Sequence, residues 1–291
     1  MNTYQARKWS KNILWYIGAI IISLITVVPL IWTLSTSFKS DGEILSSTLS
    51  FIPQDFTLDH YKEVFQTTPF ARYLFNSLVL AIGGVITNLF FGSLAGYAFA
   101  KLPFKGKKAT FMVFLGSMMI PSVVTMIPSF LVLKNFPLAG GNDILGHGGI
   151  GLINTYWAIL LPGAAGAFSI FFMKQFFETL PSELAEAARM DGCSEFKIFW
   201  RIYMPLAKTA LATLGIMTFQ SGWNQFMWPL IVLNSQEMMT VQVGLAAFQY
   251  NESANYGALM AGTVLATLPV LIVFIFAQKY FVQGIAHEGG K

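Results

Sequence analysis

The chain has 291 residues, of which 55% are hydrophobic and only 11% are charged. Soluble domains carry about 25% charged residues, so this composition excludes an ordinary soluble protein and indicates a protein of the membrane. The single cysteine, Cys193, excludes an internal disulfide. The three histidines lack the spacing of a metal site, so no metal ligand and no catalytic residue is predicted.

Six apolar windows follow one another along the chain, each close to the roughly 20 residues that cross a bilayer as a helix. The first window is longer than the apolar region of a signal peptide and lacks a following cleavage site, so we expect it to be retained. We predict an all-α membrane protein with six transmembrane helices in the lipid bilayer. The windows cover residues 13–37, 73–100, 109–133, 153–173, 208–233 and 255–278.

The basic residues decide the orientation of these helices. With both termini in the cytoplasm, 14 of the 18 Lys and Arg residues fall in cytoplasmic segments. An excess of Lys and Arg marks the cytoplasmic side, so both termini are predicted to be cytoplasmic. This topology also accounts for the net charge of +4, and no nucleic-acid partner is expected. The external basic residues are Lys39, Lys62, Arg72 and Lys134.

The content of the windows limits the transport mechanism. Ion-coupled transporters and proton pumps bury ionisable side chains within their spans, and the cores of these windows lack them. Small residues such as Gly92, Gly96 and Ala100 recur at a spacing of four, which lets helices pack closely. Prolines such as Pro121 and Pro162 predict kinks or unwound turns. An ATP-independent secondary transporter or channel for a neutral polar solute remains an alternative.

Amide and aromatic side chains in the windows are candidates for a substrate path. Such groups suit a neutral solute rich in hydroxyl groups, such as a sugar. The alternatives are hydrogen bonds between helices and aromatic belts at the membrane interface. The candidates for the path are Asn88, Asn154, Tyr156, Gln220, Trp223 and Asn224.

The longest cytoplasmic loop contains a charged stretch at residues 184–196, which reads LAEAARMDGCSEF. Its first half is strong helix-forming sequence, with Leu184, Ala187 and Ala188 expected on one face. Gly192 suits a left-handed helix end, and Ser194 suits the N-cap of a second short helix. We favour a compact two-helix surface that docks a partner, and a merely solvated loop is the alternative.

The spacing within this loop resembles a known motif. Glu186-Ala187-Ala188 is followed by three residues and Gly192, and later by Ile202 and Pro205. The pattern is similar to the EAA loop of ABC importer permeases, with Met204 where the motif has leucine. Other stretches resemble the carbohydrate-uptake branch, which includes the maltose-type permease: GWNQFMWPL, TVQVGL and LPVLIVFIFAQKYFVQGI.

The resemblance implies a type I ABC importer transmembrane domain in a bacterial cytoplasmic (inner) membrane, and an oligosaccharide or related sugar as substrate. It implies a second homologous permease subunit, a cytoplasmic ABC ATPase dimer and an extracytoplasmic solute-binding protein as partners. The chain has no P-loop, so we expect neither an enzyme nor a cofactor, with ATP and Mg²⁺ used by the partner ATPase. The residues implied in coupling to that ATPase are Glu186, Ala187, Ala188, Asp191 and Gly192.

The chain divides into three segments. Residues 1–72 are expected to hold an N-terminal cytoplasmic segment, the first transmembrane helix and an external segment. Residues 73–286 are expected to form the permease core, with the coupling loop at about 178–206, and residues 287–291 a short tail. In such systems the loop at about 234–254 faces the binding protein.

A glycine-rich segment lies between the third and fourth windows. It covers residues 135–151, reads NFPLAGGNDILGHGGIG, and holds six glycines. The charge distribution predicts that it lies outside the membrane. One interpretation is a flexible loop, and the other is a contact surface for the binding protein or a larger oligosaccharide.

Overall fold

The computed structural model describes residues 3–46, 50–250 and 255–288. Within these ranges the chain is helical and forms no β-strand, although Lys39 and Phe56 form an isolated bridge. The predicted all-α fold is confirmed. The helices are α1 Thr3–Thr36, α2 Asp41–Ile44, α3 Asp59–Thr67, α4 Phe70–Lys101, α5 Lys107–Ser117, α6 Ser122–Lys134, α7 Trp157–Gly163, α8 Ala167–Thr179, α9 Glu183–Met190, α10 Glu195–Ile198, α11 Met204–Leu206, α12 Lys208–Trp223, α13 Met227–Val232, α14 Val241–Tyr250 and α15 Tyr256–Glu288, with a π-helical turn at Phe199–Tyr203 and a 3₁₀ turn at Gln236–Met238.

Three helices are long and apolar enough to cross a membrane unbroken: α4, Trp15–Thr36 of α1 and Tyr256–Gln278 of α15. Three further candidates are helix pairs joined at a bend. The bend is 103° between α5 and α6, 40° between α7 and α8, and 81° where Glu195–Leu206 meets α12. Counted by length and composition, the described residues give three straight candidates, or six if each bent pair is one span.

The third predicted window, residues 109–133, forms two helices instead of one. α5 ends at Ser117, and α6 begins at Ser122 with Pro121 as its N-cap residue. Proline has no N–H to donate to the preceding turn and disfavours helical geometry in the residue before it, so the first helix ends here. The break predicted at Pro121 is confirmed.

The fourth and fifth predicted windows also differ from the helices that form. The fourth, residues 153–173, becomes helical only three residues after Asn154, whose backbone is left-handed with a φ of 61°. In the fifth, residues 208–233, the long helix α12 ends at Trp223, and Asn224 follows in a turn. The prediction that both asparagines lie inside helices is therefore wrong.

The described residues group into two compact units. One combines the residues up to Thr68 with Leu245–Leu268, and the other combines Pro69–Gly244 with the residues from Pro269 onward. In the first unit the buried ring of His60 packs against Gly257, which leaves no room for a larger residue there. The division predicted at residues 72, 286 and 287 remains a prediction.

Two predicted segments reach beyond the described residues. The segment at 234–254 was expected to be a loop, but α14 and a 3₁₀ turn form within it, and its residues 251–254 lie outside the described ranges. Of the predicted tail at 287–291, the last three residues lie outside as well, and α15 runs to Glu288.

Helix α4 is the centre of the second unit, where it packs against α8 and α12. A Cβ atom added to Gly92 would lie 2.8 Å from the Cβ of Ser169, and one added to Gly96 would lie 2.8 Å from the Cβ of Met173. Real Cβ atoms do not approach so closely, so glycine at these positions sets the distance between α4 and α8. The close packing predicted for both glycines is confirmed.

The glycine-rich segment at 135–151 folds back on itself through hydrogen bonds. The side-chain nitrogen of Asn142 donates to the carbonyl oxygens of Lys134 and Phe136, at 2.8 and 3.0 Å. Its side-chain oxygen accepts from the backbone N–H of Gly149 at 2.8 Å. Five of the six glycines have positive φ. The segment thus has a defined hydrogen-bonded conformation, and its role as a flexible loop or as a contact surface remains a prediction.

Candidate coupling loop and translocation clefts

The charged stretch at 184–196 forms two short helices around a glycine corner. α9 ends at Met190, and Gly192 follows with a φ of 76°. The side chain of Ser194 accepts a 3.4 Å hydrogen bond from the backbone N–H of Lys197, so it caps α10. The left-handed glycine and the serine cap predicted from the sequence are both confirmed.

Of the three residues expected to share one face of α9, only Ala188 is buried. Ala185 and Ala188 are 2% and 7% exposed, whereas Leu184 and Ala187 are exposed. Ala185 and Ala188 lie one turn apart and belong to the apolar cluster that includes Tyr203. Leu184 and Ala187 lie on the neighbouring strip of the helix, which this cluster does not cover.

Four of the five predicted coupling residues are exposed: Glu186, Ala187, Asp191 and Gly192. Ala188 instead packs into the helical core of this chain. The outer surface of the corner is therefore small, acidic and accessible to a partner. Whether these residues contact an ATPase remains a prediction.

An ion pair and a buried tyrosine hold the two short helices against α4. Arg189 Nε donates to Glu195 Oε1 at 2.6 Å, and Tyr97 donates its hydroxyl hydrogen to Glu195 Oε2 at 2.9 Å. The hydrogen bond from Arg189, more than any other contact, holds the pKa of the Glu195 carboxyl below its ordinary value. Glu195 is therefore charged at neutral pH and connects α9, α10 and α4.

The first of two clefts lies where α4, α7, α8 and α12 meet, and its volume is about 520 Å³. Amide and hydroxyl side chains provide its polar surface, and no ionisable side chain lines it. Such a surface can donate and accept hydrogen bonds without requiring a charged solute. Its lining residues are Leu80, Gly84, Asn88, Ile159, Leu160, Gly163, Gly166, Phe168, Ser169, Met217, Thr218, Ser221, Gly222 and Gln225.

The second cleft adjoins the first and also measures about 520 Å³. Ile159, Gly163 and Gln225 line both clefts. Residues of the broken segments line the second cleft. They come from α6, from the end of α7 and from the turn between α12 and α13. Irregular backbone within apolar segments is tolerated where it lines a cavity. Its remaining lining residues are Ser122, Val123, Thr125, Met126, Ser129, Pro162, Phe226, Met227 and Trp228.

Asn88 is the one predicted path residue that lines a cleft, but its amide is already fully bonded. Its nitrogen donates to the carbonyl oxygens of Gly84 and Gly163, at 3.0 and 2.7 Å. Its oxygen accepts from Gly166 N–H at 3.2 Å and from the Ser169 hydroxyl at 2.8 Å. An amide offers two donors and two acceptor positions, and all four are used. Asn88 therefore bridges the break between α7 and α8.

Asn154 and Tyr156 lie apart from both clefts. The Asn154 side-chain oxygen accepts from the backbone N–H groups of Asn234 and Ser235, each at 3.0 Å. The Tyr156 hydroxyl donates to Asn76 Oδ1 at 2.7 Å. Asn154 thus connects two loops, and Tyr156 connects the start of α7 to α4, so both serve hydrogen bonding between segments, close to the alternative considered for polar residues. A path role for either residue is not supported by its position.

Gln220, Trp223 and Asn224 lie close together at the end of α12, outside the clefts. Trp223 is 1% exposed and stacks on Phe219, so it serves the core. Gln220 and Asn224 are exposed one turn apart on the outer side. The six predicted path residues are thus not brought together in one site.

Apart from Asn88, the polar side chains that line the clefts are not among the predicted path residues. Thr218 and Ser221 are three residues apart on one face of α12, and Gln225 follows in the segment after the helix. That periodicity was present in the sequence. By contrast, the contributions of Ser169 and Ser122 depend on how separate segments pack.

Within the described residues, no three His, Cys, Asp or Glu side chains come together in a way that could hold a metal ion.

Residues 88–287 match the family described as "Binding-protein-dependent transport system inner membrane component". The chain belongs to this family. It is therefore a membrane transport component of a system that depends on a binding protein.

Relatives in this family agree over nearly the whole chain. The chain is 36% identical to the arabinooligosaccharides transport system permease protein AraQ of Halalkalibacterium halodurans, over 98% of this chain and 99% of the relative. It is 32% identical to the lactose transport system permease protein LacG of Rhizobium radiobacter, over 96% of each. The resemblance to carbohydrate-uptake permeases is confirmed.

A solved structure agrees with the fold. A bacterial ABC transporter involved in the import of the acidic polysaccharide alginate matches with a TM-score of 0.79 and 27% identity. The match covers 94% of this chain and 98% of that chain. The predicted type I ABC importer fold is confirmed.

Proposed function

We propose that this permease forms half the translocation pathway of an ATP-driven importer for a neutral oligosaccharide. The observation that carries the proposal is the exposed corner of α9, Gly192 and α10 in a chain of the binding-protein-dependent family. The corner presents Glu186, Ala187 and Asp191 outward, while its inner face is bonded to α4. Such a surface suits a partner that pushes or pulls on the helices.

The partners proposed are a cytoplasmic ABC ATPase dimer, a second homologous permease and an extracytoplasmic solute-binding protein. The absence of a P-loop from the sequence assigns ATP and Mg²⁺ to the ATPase. Gln220 is exposed on the apolar helix α12 and Asn224 is exposed in the turn after it, and polar side chains in a membrane avoid lipid. We infer that they face the second permease or the pathway between the two subunits.

We also propose that the chain crosses a bacterial inner membrane six times, with both termini in the cytoplasm. Three straight helices, the bent pairs α5–α6 and α7–α8, and α12 are consistent with six crossings, which leaves Glu195–Leu206 to the cytoplasmic loop. The excess of Lys and Arg on one side supports the orientation. Under this topology the corner at Gly192 lies on the cytoplasmic side, where an ATPase can reach it.

The chemistry of the clefts favours a neutral sugar. AraQ and LacG are described as parts of arabinooligosaccharide and lactose systems, and both of those sugars are uncharged. Neither cleft has a Lys or Arg to pair with a carboxylate such as alginate carries. Hydroxyl and amide groups such as Ser221 and Gln225 can exchange hydrogen bonds with sugar hydroxyls.

Uptake by reconstituted vesicles tests the function. The permease is purified with its ATPase, second permease and binding protein, and labelled neutral oligosaccharides are offered with and without internal ATP. Uptake that requires both ATP and the binding protein is expected. ATP-independent uptake by this chain alone contradicts the proposal and favours a secondary transporter or channel.

Reversal of charge at the corner tests its role in coupling. Glu186→Lys changes an exposed residue of α9, so the fold should persist, while uptake should fall about tenfold or more if the side chain meets the ATPase. Asp55→Lys makes the same charge change at an exposed position before α3 and serves as the control. Full uptake by Glu186→Lys removes this residue from the coupling surface.

A further inference from the structure

We propose that Tyr97 is a positioning residue that transmits movement of the coupling corner to α4 and so to the clefts. The inference rests on the proposed function, because it assumes that an ATPase moves the corner. Tyr97 lies in the last two turns of α4 and is 2% exposed. Its hydroxyl donates to Glu195, a residue of the loop 98 positions later.

Glu195 makes this contact a three-way connection. Arg189 is in the last turn of α9, and Glu195 is in the first turn of α10. Their ion pair closes across the Gly192 corner with an N···O distance of 2.6 Å. Charge-assisted hydrogen bonds of this kind are short and strong, so the two helices move together. The second oxygen of the same carboxylate holds Tyr97.

The ring of Tyr97 is fixed as firmly as its hydroxyl. It contacts Tyr203 and Phe199 with ring centroids 5.1 and 5.4 Å apart, and meets Phe177 edge-on at 6.1 Å. These rings come from α8 and from the π-helical turn before α12. Displacement of the corner therefore acts on an aromatic cluster shared by α4, α8 and the turn that leads into α12.

A second contact, one turn further along α4, holds the start of the same loop. The Lys101 side chain donates to the carbonyl oxygen of Leu180 at 2.5 Å and to the Ser182 hydroxyl at 3.4 Å. Tyr97 and Lys101 are four residues apart, so they lie on one face of α4. That face thus bonds both to the chain entering α9 and to the start of α10.

The same helix reaches the clefts. Asn88 is nine residues before Tyr97, which is about 13.5 Å along a helix. Its amide bridges the break between α7 and α8 at the wall of the first cleft. Between the two, Gly92 and Gly96 seat α8 directly on α4. One rigid helix thus connects the coupling corner to the bend beside the pathway.

The variant Tyr97→Phe tests the proposal, since it keeps the ring and removes only the hydroxyl. The measurements are co-purification with the ATPase, ATP hydrolysis, and sugar imported per ATP hydrolysed in vesicles with binding protein. Co-purification and basal hydrolysis should be retained, while sugar imported per ATP should fall about fivefold or more. Tyr61→Phe is the matched control, since the Tyr61 hydroxyl hydrogen-bonds Ser37 at 2.8 Å and both residues belong to the first unit.

Several outcomes overturn the proposal. Wild-type coupling in Tyr97→Phe does so, as does an equal loss of coupling in Tyr61→Phe, which indicates a general loss of stability. Failure of Tyr97→Phe to retain the ATPase also contradicts it, because the residue then serves assembly. A wild-type complex that imports without ATP refutes the proposed function itself, whereas ATP-dependent import unchanged by Tyr97→Phe refutes only the role of Tyr97. Glu195→Gln provides a second variant, expected to lower coupling in the same direction.

Discussion

The glycine-rich segment at 135–151 and the coupling corner around Gly192 both turn the chain through left-handed residues, but they are held in different ways. In the first, backbone approaches backbone: a side chain on Gly146 would overlap the carbonyl oxygen of Asn135. At Gly192, by contrast, an added Cβ would meet nothing within 4 Å. One loop is filled by its own backbone, and the other is open on its outer side.

The glycine-rich segment is held by contacts within itself, whereas the corner keeps its outer surface exposed. The segment at 135–151 fixes its shape internally, through Asn142, Asp143 and close glycine contacts. The corner takes its shape from side chains that bond inward to α4, and it leaves its glycine exposed. A loop built to receive another protein needs open space at its tip. Substitutions in the two loops should therefore lower different measured quantities.

The largest effect is expected at Gly146. Gly146→Ala combines positive φ with overlap against the carbonyl oxygen of Asn135, and it should reduce the free energy of unfolding by about 3 kcal/mol or more. The matched variant is Gly141→Ala, where φ is 85° but the nearest atom is 3.8 Å away. It should lose only about 1–2 kcal/mol. Thermal unfolding in detergent measures both, and equal losses contradict a role for backbone contact.

At Gly192 the effect on stability should be smaller and the effect on transport larger. Gly192→Val places a β-branched residue at a φ of 76° and should cost about 1–2 kcal/mol. A β-branched residue is strained in this backbone conformation, so the corner should change shape and uptake should be lost. Gly192→Asn is the control, because asparagine tolerates left-handed geometry. Equal uptake by the two variants indicates that the geometry of the corner is not required.

The smallest effect is expected on the pH dependence of the stability of the glycine-rich segment. Asp143 Oδ1 accepts from the backbone N–H groups of His147 and Leu145, each at 2.8 Å, and the bond from His147 is the main cause that lowers the pKa of this carboxyl. A lowered pKa in the folded protein means that the stabilisation is complete above the ordinary pKa of Asp, about 3.9. It is lost as pH falls through the folded value.

Acid titration of stability checks this prediction. The wild type should lose a small increment below about pH 4 that Asp143→Asn does not show. The control is Asp55→Asn, because Asp55 is exposed and its backbone N–H bonds Glu43, a residue outside this segment. If Asp143→Asn and the wild type have the same acid profile, the hydrogen bonds of Asp143 do not stabilise the segment.

The sequence predicted features that depend on local chemistry. The left-handed Gly192, the Ser194 cap, the break at Pro121 and the contact glycines Gly92 and Gly96 all follow from the conformational limits of single residue types. The all-α fold and the family followed from composition and from the motif at 186–205.

Features that depend on packing between distant segments were not predicted. Asn88 was a path candidate, but only the fold shows that four partners occupy its amide. The pattern placed Leu184, Ala187 and Ala188 on one face of α9, but only the fold shows that Ala188 is buried together with Ala185 while Leu184 is exposed. Nothing in the sequence pointed to Ser169, since its hydrogen-bond partner, Asn88, is 81 positions away.

The saturated amide of Asn88 also bears on how the chain is built into the membrane. Between α7 and α8 the helical ladder is interrupted, and a carbonyl and an N–H left unpaired in hydrocarbon would each cost several kcal/mol. Asn88 supplies the bonds to Gly163 and Gly166 from a helix made earlier in synthesis. The interrupted segment is therefore stable in the bilayer only once α4 is beside it. We therefore expect the pairing of α4 with α7 and α8 to be required for the stability of this segment in the membrane.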